Sequence, residues 1–149
     1  MSYSPFSFSS ESTGTAEALV TDYVNASGAT AIPQAQACSI NGIGKLVPLD
    51  VSSQSSWNNF VGYANIRISA SSSGPIISNG RLLNITTAFA LGTPLYIGTD
   101  GNPTNIVPSV GVNGFVSGDA AIFMGVLVKN QTSPSEKDIA LFTQVIGIL

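Results

Sequence analysis

Short runs of apolar residues, separated by turn-forming residues, recur along most of the chain. The clearest runs span 44–49, 57–69, 121–128 and 138–149, and they are rich in Val, Ile, Leu and aromatic residues. Such runs, with Gly, Pro, Asn and Asp between them at intervals of about eight to twelve residues, are typical of short β-strands. We count about eight to ten of them, which predicts an all-β fold, a single compact antiparallel β-sandwich or small barrel.

The segment 15–24 is the one place where a helix competes with a strand. Ala16, Leu19, Val20 and Tyr23 fall at helical spacing, and a threonine before them could cap a helix. The same segment is nevertheless rich in residues that favour strands, and glycines bound it on both sides. We therefore favour a strand here.

Two residues inside predicted strands carry specific structural expectations. Pro48 cannot donate a backbone hydrogen bond, so the strand 44–49 is expected at a sheet edge or to end at this residue. Gly62, inside the run 57–69, predicts a β-bulge or a close approach of another backbone.

Two dipeptides predict β-hairpins. Asn79-Gly80 lies between the apolar runs 75–78 and 81–85, and it can adopt the positive φ angles that a type I′ turn needs. Asp100-Gly101 lies between 94–97 and 102–104, and the same reasoning predicts a second turn there.

The two C-terminal runs, 121–128 and 138–149, are almost continuously apolar. This pattern predicts strands that are covered on both faces. The segment 129–138 between them is the most polar in the chain and contains Pro134, so we expect a solvated loop. Glu136 and Asp138 are then expected to be solvated charges rather than an acid–base pair.

The first fourteen residues differ from the rest of the chain. Tyr3, Phe6 and Phe8 are interspersed with serines, and Pro5 interrupts any helix. Two interpretations stay open, a frayed terminus and an extended N-terminal arm whose aromatic side chains insert into a neighbouring chain. We take 1–14 as an arm, 15–149 as a single all-β domain, and Tyr3, Phe6 and Phe8 as candidate assembly contacts.

The composition points towards assembly. Only 9% of the residues are charged, 44% are hydrophobic and the formal net charge is −3. A monomer with a neutral, hydroxyl-rich surface is one explanation, and burial of much of the surface against identical subunits or a larger assembly is the other. We favour the second, because interface cores are depleted of charge. The five basic residues are scattered, which argues against a nucleic-acid partner.

The sequence offers no recognisable catalytic or cofactor chemistry. Without histidine, Ser-His-Asp and histidine-zinc sites are impossible, and Cys38 is expected to be a small core residue. Asp100-Gly101-Asn102 lacks the further ligands of an EF-hand. Trp57, Tyr63 and Tyr96 are expected in the core rather than on a sugar-binding surface. We therefore predict no enzyme, no cofactor, no metal and no small-molecule substrate.

The chain also shows no targeting signal. Residues 1–10 have neither a basic nor an apolar region of the kind that forms a signal peptide, and no apolar run reaches the length of a membrane span. We therefore expect synthesis in the cytoplasm and no membrane partner.

The order of strands and turns from Phe60 onwards carries a family resemblance. It includes Val61-Gly62-Tyr63-Ala64, Gly92-Thr93-Pro94-Leu95-Tyr96-Ile97 and Phe123-Met124-Gly125-Val126. This pattern resembles small tailed-bacteriophage virion proteins, especially capsid decoration (cement) proteins and head-fibre or tail-fibre modules. The resemblance implies a tulip-like sandwich or barrel and a non-enzymatic virion protein on the capsid surface, commonly a homotrimer bound to the major capsid protein. The alternative that it implies is a fibre, collar or baseplate component involved in host attachment.

Overall fold

The computed structural model describes residues 19–149, and nine β-strands and one short helix account for the regular structure of this part. The helix, α1, spans Gln54–Asn58. The strands are Leu19–Val24 (β1), Ala37–Ile40 (β2), Leu46–Pro48 (β3), Phe60–Ala64 (β4), Ser73–Ile85 (β5), Pro94–Ile97 (β6), Pro103–Thr104 (β7), Ala120–Lys129 (β8) and Lys137–Ile148 (β9).

The strands form one antiparallel sheet that curls into a half-barrel. Its order is β3-β2-β4-β5-β9-β8-β6-β7, and β1 pairs with β5 outside this path. The long strand β5 joins the two halves, because its first part pairs with β1 and β4 and its last part pairs with β9. The predicted all-β, antiparallel fold is confirmed.

Alternate residues of the central strands fill two separate cores. Ala37, Tyr63 and Ile77 point into the larger cluster inside the curl, and their neighbours Cys38 and Ala64 point into a smaller cluster on the other face. The smaller cluster also contains Ile32, Leu46, Ile68 and Ile76. This alternation follows from the two-residue period of a strand, and it explains why strands buried on both faces are apolar at successive positions.

Several local predictions are confirmed. Within the predicted strand 15–24, residues 19–24 form β1. Pro48 ends β3, which is the edge strand at one end of the sheet order. Gly62 lies at a register shift between β4 and β2, with a φ of +142°. A Cβ atom at Gly62 would lie 2.5 Å from the Ile77 carbonyl oxygen, so both a bulge and a close backbone contact are present.

The hairpin predicted at Asn79-Gly80 is wrong. Residues 73–85 form a single continuous strand through this dipeptide. Gly80 does adopt a positive φ, +99°, but Asn79 does not, so the type I′ requirement is not met. Gly80 instead marks the point where β5 changes its partner. Asn79 is the last residue of β5 that pairs with β1, and Gly80 is the first that pairs with β9.

The hairpin predicted at Asp100-Gly101 is present. Residues 98–102 connect β6 to β7, and Gly101 has a φ of +81°. The Asp100 carboxylate accepts a hydrogen bond from the Asn102 backbone N–H at 2.9 Å, which is the turn chemistry of aspartate.

The strand predicted over 57–69 is only partly correct. Residues 60–64 form β4, whereas Trp57 belongs to α1 and Ile68 makes an isolated bridge with Ile32. The helix begins here because the Ser53 hydroxyl accepts a hydrogen bond from the Ser56 backbone N–H at 3.3 Å, as an N-cap does.

Cys38 is fully buried in the smaller core, as predicted. Burial raises the pKa of its thiol to about 12, against a smaller opposing effect of a backbone hydrogen bond with Ala64. The same cause raises the pKa of Tyr63 above its ordinary value. Above about pH 9 the unfolded state loses the thiol proton and the folded state keeps it, so folding stability must fall as the pH rises.

We therefore expect Cys38→Ala to weaken the alkaline loss of stability. The parent chain should lose up to about 1.4 kcal/mol of unfolding free energy per pH unit from Cys38 between roughly pH 9 and pH 12. The variant should lack this contribution, although its lost packing lowers stability at every pH. Urea denaturation at pH 8, 9, 10 and 11 measures both slopes. Equal slopes for the two proteins would contradict the burial of the thiol.

Candidate assembly surface

The second half of β9 lacks a partner along one edge. Pairing of β9 with β5 ends where Leu141 meets Gly80, while its pairing with β8 continues to Ile148. Within the described part of the chain, residues 142–148 therefore pair only with β8. We call these seven residues the β9 strip. One side-chain contact ties it to the sheet interior, a 2.7 Å hydrogen bond between the hydroxyl groups of Thr143 and Tyr63.

The β9 strip exposes large apolar side chains to solvent. The exposed fractions are 66% for Phe142, 52% for Val145, 50% for Ile146 and 57% for Ile148. The expectation that β9 is covered on both faces is therefore wrong for this half in the single chain, although its first half is buried at Ile139 and Leu141. The strand β8, by contrast, is buried along most of its length, as expected.

A second apolar surface lies beside the end of β9. We call residues 105–119, which connect β7 to β8, the apolar loop. Its exposed apolar side chains are Ile106, Val107, Val110, Val112 and Val116. Phe115, which is 2% exposed, anchors the loop in the larger core. The loop meets the end of β9 where the Gly118 backbone N–H donates to the Leu149 carbonyl at 2.6 Å and the Leu149 N–H donates to Asp119 at 2.9 Å.

Charge is absent from the exposed side chains of both stretches, since the one charged residue of the apolar loop, Asp119, is only 3% exposed. Residues 139–149 and residues 105–118 contain no Lys, Arg, Asp or Glu. Edge strands in soluble proteins are ordinarily protected from further pairing by charged residues, proline or a covering element. The β9 strip has no charge and no proline, so it combines unpaired backbone groups with apolar side chains. Such an edge is suited to pairing with another segment.

Asp138 is not the solvated charge that the sequence suggested. It is 2% exposed, and one carboxylate oxygen lies 2.9 Å from a guanidinium nitrogen of Arg81. The other oxygen accepts hydrogen bonds from the Asn84 backbone N–H and the Asn130 amide. The Asn130 side-chain oxygen in turn accepts from backbone N–H groups of the loop 130–136. This network fixes the β8–β9 loop on β5. Most residues of the loop are exposed, so it is solvated as predicted and also held in place.

The surface depressions do not form a built ligand site. One depression of about 310 Å³ lies beside the Asp100-Gly101 turn, and another of about 250 Å³ lies beside Arg81 and Asp138. Over residues 19–149, no three metal-binding side chains of the His, Cys, Asp or Glu type come together. No helix in that range has the length and hydropathy needed to cross a bilayer.

The aromatic residues singled out in the sequence fall into two groups, those outside and those within the described residues. Tyr3, Phe6 and Phe8 lie outside the described residues. Tyr63 is fully buried and Trp57 packs against the larger core, so neither forms a sugar-binding surface. Tyr96 instead makes an edge-on ring contact with Phe123, with ring centroids 5.8 Å apart.

Comparisons of the chain with protein-family models, with curated proteins and with solved structures find no significant match. The function therefore has to be inferred from the chemistry of the protein surface. Its most distinctive feature is the charge-free apolar area formed by the β9 strip and the apolar loop, which was not singled out as a site in the sequence.

Proposed function

We propose that the chain is a non-enzymatic structural virion protein that decorates and stabilises a bacteriophage capsid through intersubunit contacts. The observation that carries the proposal is the uncharged apolar surface of the β9 strip and the apolar loop. In this proposal each copy contacts the sister subunits of its homotrimer and also contacts the major capsid protein. The bacteriophage context comes from the order of strands and turns after Phe60.

Contact area would itself be the activity of such a protein. A stable interface buries about 800 Å² on each partner, and apolar area contributes roughly 25 cal/mol per Å² before the costs of association. The exposed Phe142 and Ile146 side chains are of the kind that contributes to such a contact. Many copies, each bridging neighbouring capsid subunits, would resist outward pressure mechanically. Synthesis would take place in the host cytoplasm and the final location would be the capsid surface.

The alternative is a fibre, collar or baseplate component involved in host attachment. The apolar loop supports it, because a surface loop of fifteen residues with five exposed aliphatic side chains can contact another protein. Electron cryo-microscopy of the virion distinguishes the two proposals by location. Density on the capsid lattice supports decoration, whereas density at the tail or collar supports the alternative.

The β9 strip offers a direct test of assembly. We expect Ile146→Lys to weaken self-association by at least about 100-fold, because an unpaired charge would be buried at an apolar contact. Its folding should be preserved, since half of the side chain is already exposed. Sedimentation velocity over a concentration series measures the association constant, and circular dichroism checks the fold.

Ile43→Lys is the matched control. Ile43 is 75% exposed on the turn between β2 and β3, away from both apolar stretches. The control should self-associate like the parent chain and should co-sediment with capsids of the same bacteriophage, whereas Ile146→Lys should not. A parent chain that remains monomeric and does not bind capsids would refute the proposed function.

A further inference from the structure

We infer that the β9 strip is the docking site for the N-terminal segment of a neighbouring copy, which adds a strand to the open edge of β9. The inference deepens the proposed function and rests on it, since it names the intersubunit contact. Three features carry it: the open edge, the chemistry of residues 1–10, and the direction in which the chain enters β1.

The open edge supplies the backbone groups that an added strand needs. Over residues 142–148 the backbone pairs with β8 alone, through a ladder that shifts register twice, and no other described segment pairs with it. An extended peptide that pairs with such an edge gains main-chain hydrogen bonds, and side-chain pockets on the two faces give it specificity. A depression beside the strip, lined by Trp57, Phe60 and Val145 among others, is apolar in character.

The chemistry of residues 1–10 matches that edge. This segment has no charged side chain, and Phe6 and Phe8 are separated by one serine, so both fall on one face of an extended strand. Pro5 is compatible with an outermost strand, where its missing N–H faces solvent. The eighteen residues before Leu19 would span roughly 3.3 Å each when extended, so seven can cover the strip while the others bridge to it.

The direction of β1 favours the strip of another copy. β1 and β9 both run antiparallel to β5, with Leu19 opposite Asn79 and Leu141 opposite Gly80. The first residue of β1, Leu19, is therefore the end of β1 that lies nearest to Ile85, whereas β9 after Leu141 runs away from Ile85. Docking on its own strip would need a reversal next to Leu19, and docking on a neighbour's strip needs none.

Photo-crosslinking tests this inference. Benzoylphenylalanine is placed at Phe142 in the full chain, which is mixed with an equal amount of ¹⁵N-labelled parent chain and irradiated. Glu-C digestion leaves the probe on the peptide 137–149 and releases residues 1–11 as a separate peptide. We expect crosslinks between peptide 137–149 and the ¹⁵N-labelled peptide 1–11. The double substitution of Phe6→Ser and Phe8→Ser in the labelled chain should reduce their yield at least tenfold.

The same probe at Phe89, an exposed phenylalanine outside the strip, is the matched control and should not capture residues 1–11. Crosslinks to unlabelled peptide 1–11 with none to the ¹⁵N-labelled one, crosslinks only to peptide 137–149 of another copy, or no crosslink at all would each overturn the docking inference. Sedimentation of the same samples separates the two failures. Oligomers without the expected crosslink refute the docking alone, whereas monomers that also fail to co-sediment with capsids refute the proposed function as well.

Discussion

Asp138→Ala is expected to lower the free energy of unfolding by about 2–4 kcal/mol, because it removes a buried carboxylate that pairs with the partly exposed Arg81 and accepts two further hydrogen bonds. The carboxylate is 2% exposed and lies 2.9 Å from the Arg81 guanidinium. Without it, Arg81 loses its ion-pair partner. The Asn84 backbone N–H loses its acceptor, and the buried Asn130 amide keeps only its hydrogen bond to the Asn84 side chain.

The effect should extend to the β8–β9 loop. Asn130 holds this loop through hydrogen bonds that its side-chain oxygen accepts from Thr132 and Ser133, and Asp138 fixes the orientation of the same side chain. We therefore expect faster amide hydrogen exchange at Thr132 and Ser133 in the variant, in addition to a lower urea midpoint. Removing one member of a buried polar network can cost more stability than the sum of its individual hydrogen bonds suggests.

Glu136→Ala is the matched control, because it removes a carboxylate two positions away that makes no ion pair within residues 19–149. We expect a change within about 0.5 kcal/mol, the range of ordinary surface substitutions. Urea denaturation of the parent and both variants at pH 7 provides the comparison. A loss below about 1 kcal/mol for Asp138→Ala would contradict the structural importance of the network.

The strands could be predicted because their signals are local. The two-residue period, the position of Pro48 and the glycine at 62 each act within one or two strands, and the structure confirms all three. The dipeptide Asn79-Gly80 shows the limit of this reasoning. Gly80 adopts the positive φ that the dipeptide favours, but Asn79 does not. Pairing of Gly80 with Leu141 of β9, distant in the sequence, uses the glycine for a change of partners inside one strand.

The environment of Asp138 could not be predicted for the same reason. Lys137 and Glu136 make its local sequence polar, whereas its burial depends on Arg81 and Asn84, which β5 brings from more than fifty positions away. The β9 strip illustrates a different limit. An apolar run indicates that a strand is covered, but it does not distinguish cover by the same chain from cover by another. The sequence signal for cover was the absence of charged residues from 139 to 149. Cover by the same chain and cover by another chain both predict that absence.

Gly125→Ala is the second substitution with a large expected effect. Gly125 pairs with Leu95 of β6 on one side and with Leu141 of β9 on the other, and both ladders shift register next to it. A Cβ atom there would overlap the Ala140 carbonyl oxygen and lie 3.0 Å from its carbonyl carbon. These are backbone atoms in the middle of the sheet, so the strands themselves would have to move apart.

We expect Gly125→Ala to lower the unfolding free energy by about 3 kcal/mol or more, at the upper end of overpacking costs, because no flexible side chain can give way. Gly147→Ala is the matched control in the partner strand β9. A Cβ atom at Gly147 would meet nothing within 4 Å, so this variant should remain within about 1 kcal/mol of the parent and gain slightly from a less flexible unfolded chain. Urea denaturation of the three proteins measures the difference. Equal midpoints for Gly125→Ala and Gly147→Ala would mean that β8 and β9 are not as closely paired at Gly125 as the register requires.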